Sequence, residues 1–205
     1  EPIHEFFKDR APDQFDDPEY KWSHDRVMTA IALREKTSQQ ILILASLHLM
    51  KSPELKENDA VRIIEASQVM HHIGCLKDEH NAAGIIILGD FNAFPGSYTH
   101  IFMLHGWQTC RTPDWQIQDV FSSTRMSNPT LCTSRTKARR LWLDYIFYSA
   151  RTILPLEQPE VDECPEEPMP NSQHPSDHLP LKATLQFKAG ATVPSRPQDL
   201  KKLSS

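Results

Sequence analysis

Residues 84–92 read GIIILGDFN, and the fold follows from how this stretch is placed. Gly84–Leu88 is a short, wholly apolar run of the kind that forms a buried strand. It runs into Gly89-Asp90-Phe91-Asn92, a tetrapeptide of turn-forming residues around one aromatic. Upstream, Ile63, Ala66, Met70 and Ile73 recur at helical spacing. Ser52-Pro53-Glu54 predicts the start of that helix and the stretch from Gly74 to Lys77 its end. Before it lies Ile41–His48 (ILILASLH), a second buried strand, which should form a hairpin with Val27–Leu33 (VMTAIAL) across Lys36-Thr37-Ser38. Strand, long helix, strand is a βαβ unit, and it predicts an α/β sheet covered by helices.

Two later strands are expected, Leu141–Ser149 (LWLDYIFYS) and Leu181–Phe187 (LKATLQF). The segments between them, 111–140 and 152–174, are long, polar and Pro-bearing, and connections of that length are commonly functional. Residues 1–26 are charged and read as a surface segment. Residues 188–205, rich in Ala, Pro, Ser, Gln and Lys, read as a disordered tail. The 205 residues are 39% apolar and 24% charged, a composition that supports a packed core. The net charge of −5 excludes a generally basic nucleic-acid coat but leaves room for a local basic patch. No apolar run approaches the roughly 20 residues of a membrane helix. The four cysteines, Cys75, Cys110, Cys132 and Cys164, form no CxxC; this argues against a zinc site or a dense disulfide framework and suits a reducing compartment.

Four groups of residues can carry chemistry. Asp90 and Asn92 stand two apart at the end of a buried strand, where open α/β sheets place ligands, and an extended chain points both the same way. One can activate a water while the other holds a phosphate oxygen; the plainer reading is a turn. Ser176-Asp177-His178 precedes the last strand, and a His beside an Asp can bind a phosphoryl oxygen or a metal, or simply belong to a loop. Asp144 interrupts an apolar strand, so it either faces solvent or needs a partner; a carboxylate there can orient and charge His178. His48 ends the ILILASLH strand and by itself reads as an ordinary histidine. Trp107 and Trp115 are isolated in sequence and read as packing residues rather than a base-stacking platform.

Taken in order, strand-His48, helix, strand-Asp90-x-Asn92, strand with Asp144 and Ser176-Asp177-His178 before a final strand resembles the endonuclease/exonuclease/phosphatase family, from about Val27 to Phe187. GDFNA followed by Pro95, the LDYIFYS strand, PSDHLPL and the helix with Arg62 and Gln68 are most similar to its nocturnin, angel and carbon-catabolite-repression deadenylase branch. The chain differs in having Leu47 where that branch has Thr before the strand histidine, and in a following loop whose only charge is Lys51. Nothing before Val27 resembles the Trp-Asn and Gln-Glu strands of the family's first half, whose glutamate is the main magnesium ligand.

The resemblance implies a deoxyribonuclease I-like α/β (α+β) fold, a two-layer β-sandwich flanked by helices and incomplete at the N-terminus. Residues 27–187 would be its C-terminal half. It implies metal-dependent phosphodiester hydrolysis, 3′-to-5′ removal of nucleotides from RNA with poly(A)-like tails, with Mg2+ (or Mn2+) as cofactor. His48, Asp90, Asn92, Asp144 and His178 would be catalytic. Asp90 would activate water, Asn92 steady the phosphate, His178 paired with Asp144 meet the phosphoryl oxygens, and His48 lie near the leaving oxygen. Asn92, Ser176 and Lys51 are the substrate-binding candidates and Asp177 the metal candidate. Residues 1–205 alone are expected to be a poor enzyme. The alternatives are an enzyme for a nucleotide or other small phosphorylated molecule and a catalytically dead interaction module. The expected location is intracellular, cytoplasm first, with nucleus or mitochondrion as alternatives and no membrane association.

Overall fold

The computed structural model describes residues 3–6, 26–106, 115–128, 130–157 and 160–191. Strands β1 (Ile3–Phe6), β2 (Val27–Arg34) and β3 (Ile41–His48) lead into helix α1 (Lys56–His80) and strand β4 (Gly84–Asp90). Helix α2 (Tyr98–His105), strand β5 (Ile117–Asp119), helix α3 (Ser122–Ser127) and strands β6 (Ser134–Arg135), β7 (Arg140–Leu141) and β8 (Asp144–Ser149) follow. Strands β9 (Ile153–Pro155), β10 (Glu160–Val161), β11 (Leu181–Lys182) and β12 (Leu185–Phe187) complete the order. The main sheet has six strands in the order β1-β2-β3-β4-β8-β5. β2 and β3 form the expected antiparallel hairpin, β3 and β4 run parallel with α1 as their crossover, and β8 returns antiparallel to β4. Residues 3–6 pair with β2, a strand the charged N-terminal composition did not signal.

Alternation along the strands sorts the sheet into two faces. Met28, Ala30, Ile43, Ala45, Ile85, Ile87, Tyr145 and Phe147 are buried on one, with Val69, Met70 and Ile73 of α1 in the same core. Leu42, Leu44, Ile86, Leu88 and Ile146, which alternate with them, are only half-buried on the other. There the β9–β12 ribbon covers one end. A Cβ on Gly84 would lie 2.7 Å from Ile153 Cδ1 and 3.0 Å from Phe187 Cε1, so glycine is what lets the ribbon approach.

Helix α1 differs from expectation at both ends. Ser52-Pro53-Glu54 is a turn instead of a cap: Ser52 has φ +62°, Leu55 N–H donates to the Ser52 carbonyl, and the helix begins at Lys56. It passes Gly74, which is buried, and ends at Asn81, whose left-handed backbone (φ 49°) breaks it. The buried face includes Arg62 and Glu65 while Ile63 is half-buried, so two charged residues masked the true stripe.

The last predicted strand also splits. Leu181–Lys182 pairs with β10 and Leu185–Phe187 with β9, and neither joins the main sheet. The expected strand from Leu141 is broken at Trp142-Leu143, with Leu141 ending β7 and β8 starting at Asp144. Cys132 and Cys164 form a disulfide that spacing did not reveal, which removes the support the cysteines lent to a reducing compartment. Cys75 is exposed and unbridged, and Cys110 and Trp107 lie outside the described residues, as does the tail after residue 191. Among the described residues, no helix is long and apolar enough to cross a membrane.

Candidate active site

Register alone brings the first three side chains together. His48 lies opposite Asp90 across the β3–β4 ladder, and Asp90 lies opposite Asp144 across β4–β8. Residues directly opposite in a sheet project to the same face, so one row at the strand ends carries imidazole, carboxylate and carboxylate. The half-buried sheet face is the one they share. Gly89 makes this row possible. Its φ of +136° is left-handed territory, and a Cβ there would lie 2.0 Å from the Leu47 carbonyl oxygen.

His178 reaches the row from outside the sheet. An isolated bridge pairs it with Ser134, and its N–H donates to Ser176 Oγ at 3.0 Å. Its Nδ1 lies 2.7 Å from Asp144 Oδ2, and its Nε2 lies 3.8 Å from Asp90 Oδ2. A carboxylate only accepts, so Nδ1 carries the hydrogen and Nε2 faces the second carboxylate. His48 Nε2 sits 3.4 Å from the same Asp90 oxygen. His48 is the open edge of the group, with 57% of its side chain exposed, against 24% for His178 and 17% for Asp90.

Asn92 is 2% exposed and turned inward. Its backbone N–H donates to Asp90 Oδ1 at 2.8 Å, and its side-chain amide donates to Asp90 Oδ2 and to the Leu49 carbonyl, each at 3.2 Å. Its left-handed backbone (φ 48°) closes this turn. The turn reading and the site reading of Gly89-Asp90-Phe91-Asn92 thus describe one device, a turn whose hydrogen bonds hold a carboxylate. Ser176 and Lys51 are exposed, and Ser176 Oγ is occupied by the His178 N–H. Asp177 accepts Arg135 N–H through its carbonyl and stands outside the group of Asp90, Asp144 and His178 that can hold a metal ion. Trp115 is 4% exposed in the core, with Lys77 Nζ 5.4 Å above its ring, a packing residue as expected.

The charges pull in opposite directions. Burial, then the Asp144 carboxylate, push the Asp90 carboxyl above its ordinary range, against the Asn92 N–H and the two imidazoles. The hydrogen bond to Asp144 raises His178 and favours its protonated form. Burial lowers His48, outweighing the attraction of Asp90.

One ligand atom each from Asp90, Asp144 and His178 lies within 4.8 Å of the others. Two facing carboxylates, one of them pushed toward neutrality by burial and then by the other, form a donor set that a divalent cation would relieve, and few protein ligands suit an ion that keeps its waters. The residues therefore fit a divalent cation.

Two supporting residues, Thr133 and Glu65, escaped the sequence reading, and a third, Arg62, entered it only through the helix that resembles the family's. Thr133 is fully buried, and its Oγ1 accepts the N–H groups of Leu143 and Asp144 at 2.9 and 3.1 Å. Glu65 accepts Met50 N–H at 2.8 Å, and Arg62 donates to the Met50 carbonyl at 3.3 Å, so α1 grips the chain just past His48. The signal for the last two was the pair of charges at i and i+3 on an otherwise apolar helix face; Thr133 left none.

The sheet order, the strand-end row and the His–Asp pair together define a mixed α/β fold, a multi-strand sheet flanked by helices with a cluster of carboxylates and imidazoles at its strand ends. The chain belongs to the endonuclease/exonuclease/phosphatase family, whose profile it matches over residues 15–178. Carbon catabolite repressor protein 4 homolog 4 of Arabidopsis thaliana is 29% identical over 201 residues, 88% of this chain and 47% of that protein. A probable CCR4-Not complex 3′-5′-exoribonuclease subunit Ccr4 of Enterocytozoon bieneusi is 26% identical over 162 residues, 73% of this chain and 33% of that protein. In fold, the chain is similar to ANGEL2, described as a 2′,3′-cyclic phosphatase, with a TM-score of 0.58 at 18% identity, covering 90% of this chain and 66% of that one. The chain thus spans about half the length of the first of these relatives and a third of the second.

Proposed function

We propose that this chain carries the His–Asp half of a divalent-metal-dependent phosphodiesterase that removes nucleotides from the 3′ end of RNA, with poly(A)-like tails as the substrate. The observation that supports this best is the His48–Asp90–Asp144 row with His178 held between the two carboxylates. The 3′-5′-exoribonuclease assignment of the Enterocytozoon relative supports the choice of RNA. Asp90 takes a proton from the attacking water, a task favoured by a carboxyl shifted upward toward neutrality. His178, protonated and oriented by Asp144, donates through Nε2 to a phosphoryl oxygen. Asn92 holds Asp90 in place, and His48, exposed and favouring its neutral form, stands at the side from which the leaving oxygen departs. The Asp90 and Asp144 carboxylates would hold Mg2+ or Mn2+ beside His178, and the ion when bound would neutralise charge on the phosphate.

The test is single-turnover hydrolysis of a labelled oligoadenylate with divalent cation, with thermal melting alongside. Asp90→Asn and His178→Ala should each lower the rate by about 10²- to 10⁴-fold with the fold intact. Near-parental rates in both would sink the mechanism. A second arm uses an oligonucleotide ending in a 2′,3′-cyclic phosphate. It tests the alternative that the site opens a 2′,3′-cyclic phosphate, the group named in the description of ANGEL2.

A further inference from the structure

Asp144 and His178 are 34 residues apart and lie on different elements, yet their side chains meet at 2.7 Å. Neither element explains this alone. Asp144 opens β8 directly after the irregular Trp142-Leu143, and His178 stands in a loop whose one regular contact is the bridge to Ser134. Residues 132–135 run between the two. The Thr133 hydroxyl accepts Leu143 N–H and Asp144 N–H at 2.9 and 3.1 Å, while the Thr133 backbone N–H donates to the Leu141 carbonyl at 2.9 Å. On its other side the Thr133 carbonyl accepts Leu179 N–H at 2.8 Å, and Arg135 N–H donates to the Asp177 carbonyl at 3.0 Å. Cys132, one residue before, is tied to Cys164 and packs on Leu179 and Met169.

We propose that Thr133 is a positioning residue for the Asp144–His178 pair, its hydroxyl fixing the backbone from which Asp144 projects while its carbonyl fixes the loop that carries His178. The hydroxyl is the informative part. Backbone ladder bonds would form with any residue, but two adjacent N–H groups at a strand start converging on one buried oxygen require a side-chain acceptor of this length. With the hydroxyl absent, both N–H groups lose their partner inside the fold, and the local backbone relaxes to find another. Asp144 Oδ2 then leaves the 2.7 Å contact first, because it lies at the end of the displaced residue. This inference rests on the phosphodiesterase reading for its meaning in turnover, but its test does not.

The experiment compares Thr133→Val, Thr133→Ala and Thr133→Ser with the parental protein. The primary readout is the ¹H–¹⁵N spectrum of the His178 ring, assigned by comparison with His178→Ala, in which the Nδ1–H bonded to Asp144 gives a protected downfield signal. The second is Mn2+ affinity, followed by electron paramagnetic resonance. Thr133→Val should keep a cooperative melt, lose the ring signal and bind Mn2+ about 10- to 100-fold more weakly, the range seen when a group orienting a metal ligand is removed. Thr133→Ser should restore both. Where Thr133→Val fails to fold, the Thr133→Ser and Thr133→Ala pair decides on the same readouts. An unchanged ring signal in a folded Thr133→Val or Thr133→Ala, or a failure of Thr133→Ser to restore it, overturns the proposal. Hydrolysis of the labelled oligoadenylate is measured on the same samples. The 205-residue chain is expected to turn over slowly, so near-parental rates in Asp90→Asn and His178→Ala are what would count against the function proposed above, while the ring signal decides the role of Thr133.

Discussion

Asp90 is the side chain on which burial and charge work against stability. Its carboxyl is raised above the ordinary 3.8, first by burial and then by Asp144. A carboxyl with a raised folded-state value favours the fold below its unfolded value, and that contribution is lost as pH rises through the folded value. At neutral pH, without divalent cation, ionised Asp90 therefore costs stability. Asp90→Asn should melt higher than the parent in EDTA at pH 7, since an amide keeps an oxygen for Asn92 N–H and carries no charge. The gap should close as pH falls and the parental carboxyl protonates. Differential scanning calorimetry across pH checks this, and a gap that widens on acidification would refute it. His178 is also raised, by its hydrogen bond to Asp144, so its contribution is likewise full below about 6.5 and lost as pH rises through its folded value. Added Mn2+ should raise the parental melt and leave Asp90→Asn nearly unmoved.

At the scale of elements, the site depends on a strap, residues 132–135, and the strap is tied down by Cys132–Cys164. The bridge joins residues 32 apart in the chain, and a cross-link of that reach stabilises by about 2–4 kcal/mol in the chain-entropy account. Cys164→Ser, which spares the fully buried Cys132, should lower the urea midpoint of the oxidised protein to that of the reduced parent. Equal midpoints for parent and variant under oxidising conditions would show that the bridge contributes nothing. Helix α1 works on the other side of the site, where Glu65 and Arg62 hold both polar groups of Met50. Burial pushes the Glu65 carboxyl up and the Arg62 guanidinium down, as expected for charges placed inside to hold a backbone rather than to meet solvent.

For the molecule as a whole, the two faces of the main sheet have unequal cover. One is sealed by α1 and its neighbours, whereas on the other an open cleft of about 650 Å³ exposes apolar surface of Leu33, Leu42, Ile86, Ile153, Leu185 and Phe187 beside polar residues such as Arg34, Glu35 and Lys188. An apolar surface of this kind binds hydrophobic dyes even when the chain is folded. The 205-residue chain should therefore enhance anilinonaphthalene sulfonate fluorescence under native conditions while giving a cooperative melt. Ile86→Gln, at the centre of the cleft, should reduce that enhancement. A folded chain with no dye response would mean the face is closed in solution.

The sequence by itself determined the hairpin and βαβ unit at the centre of the sheet, and it marked Asp90, Asp144 and His178 as candidates. Apolar runs of strand length around one long helix leave few alternatives to a βαβ unit, and period-two alternation fixes which residues share a face. Asp90, Asp144 and His178 were readable because each is a polar residue where an apolar pattern ends or breaks. The tertiary structure alone decided how they meet. His48, Asp90 and Asp144 align only through the register of three strands, and register depends on packing between segments distant in the chain. The inward turn of Asn92, the Cys132–Cys164 bridge, the division of 181–187 between two ribbons and the part played by Thr133 are of the same kind. Each rests on a partner distant along the chain, and a hydrogen bond or disulfide of that range leaves no periodicity in the sequence.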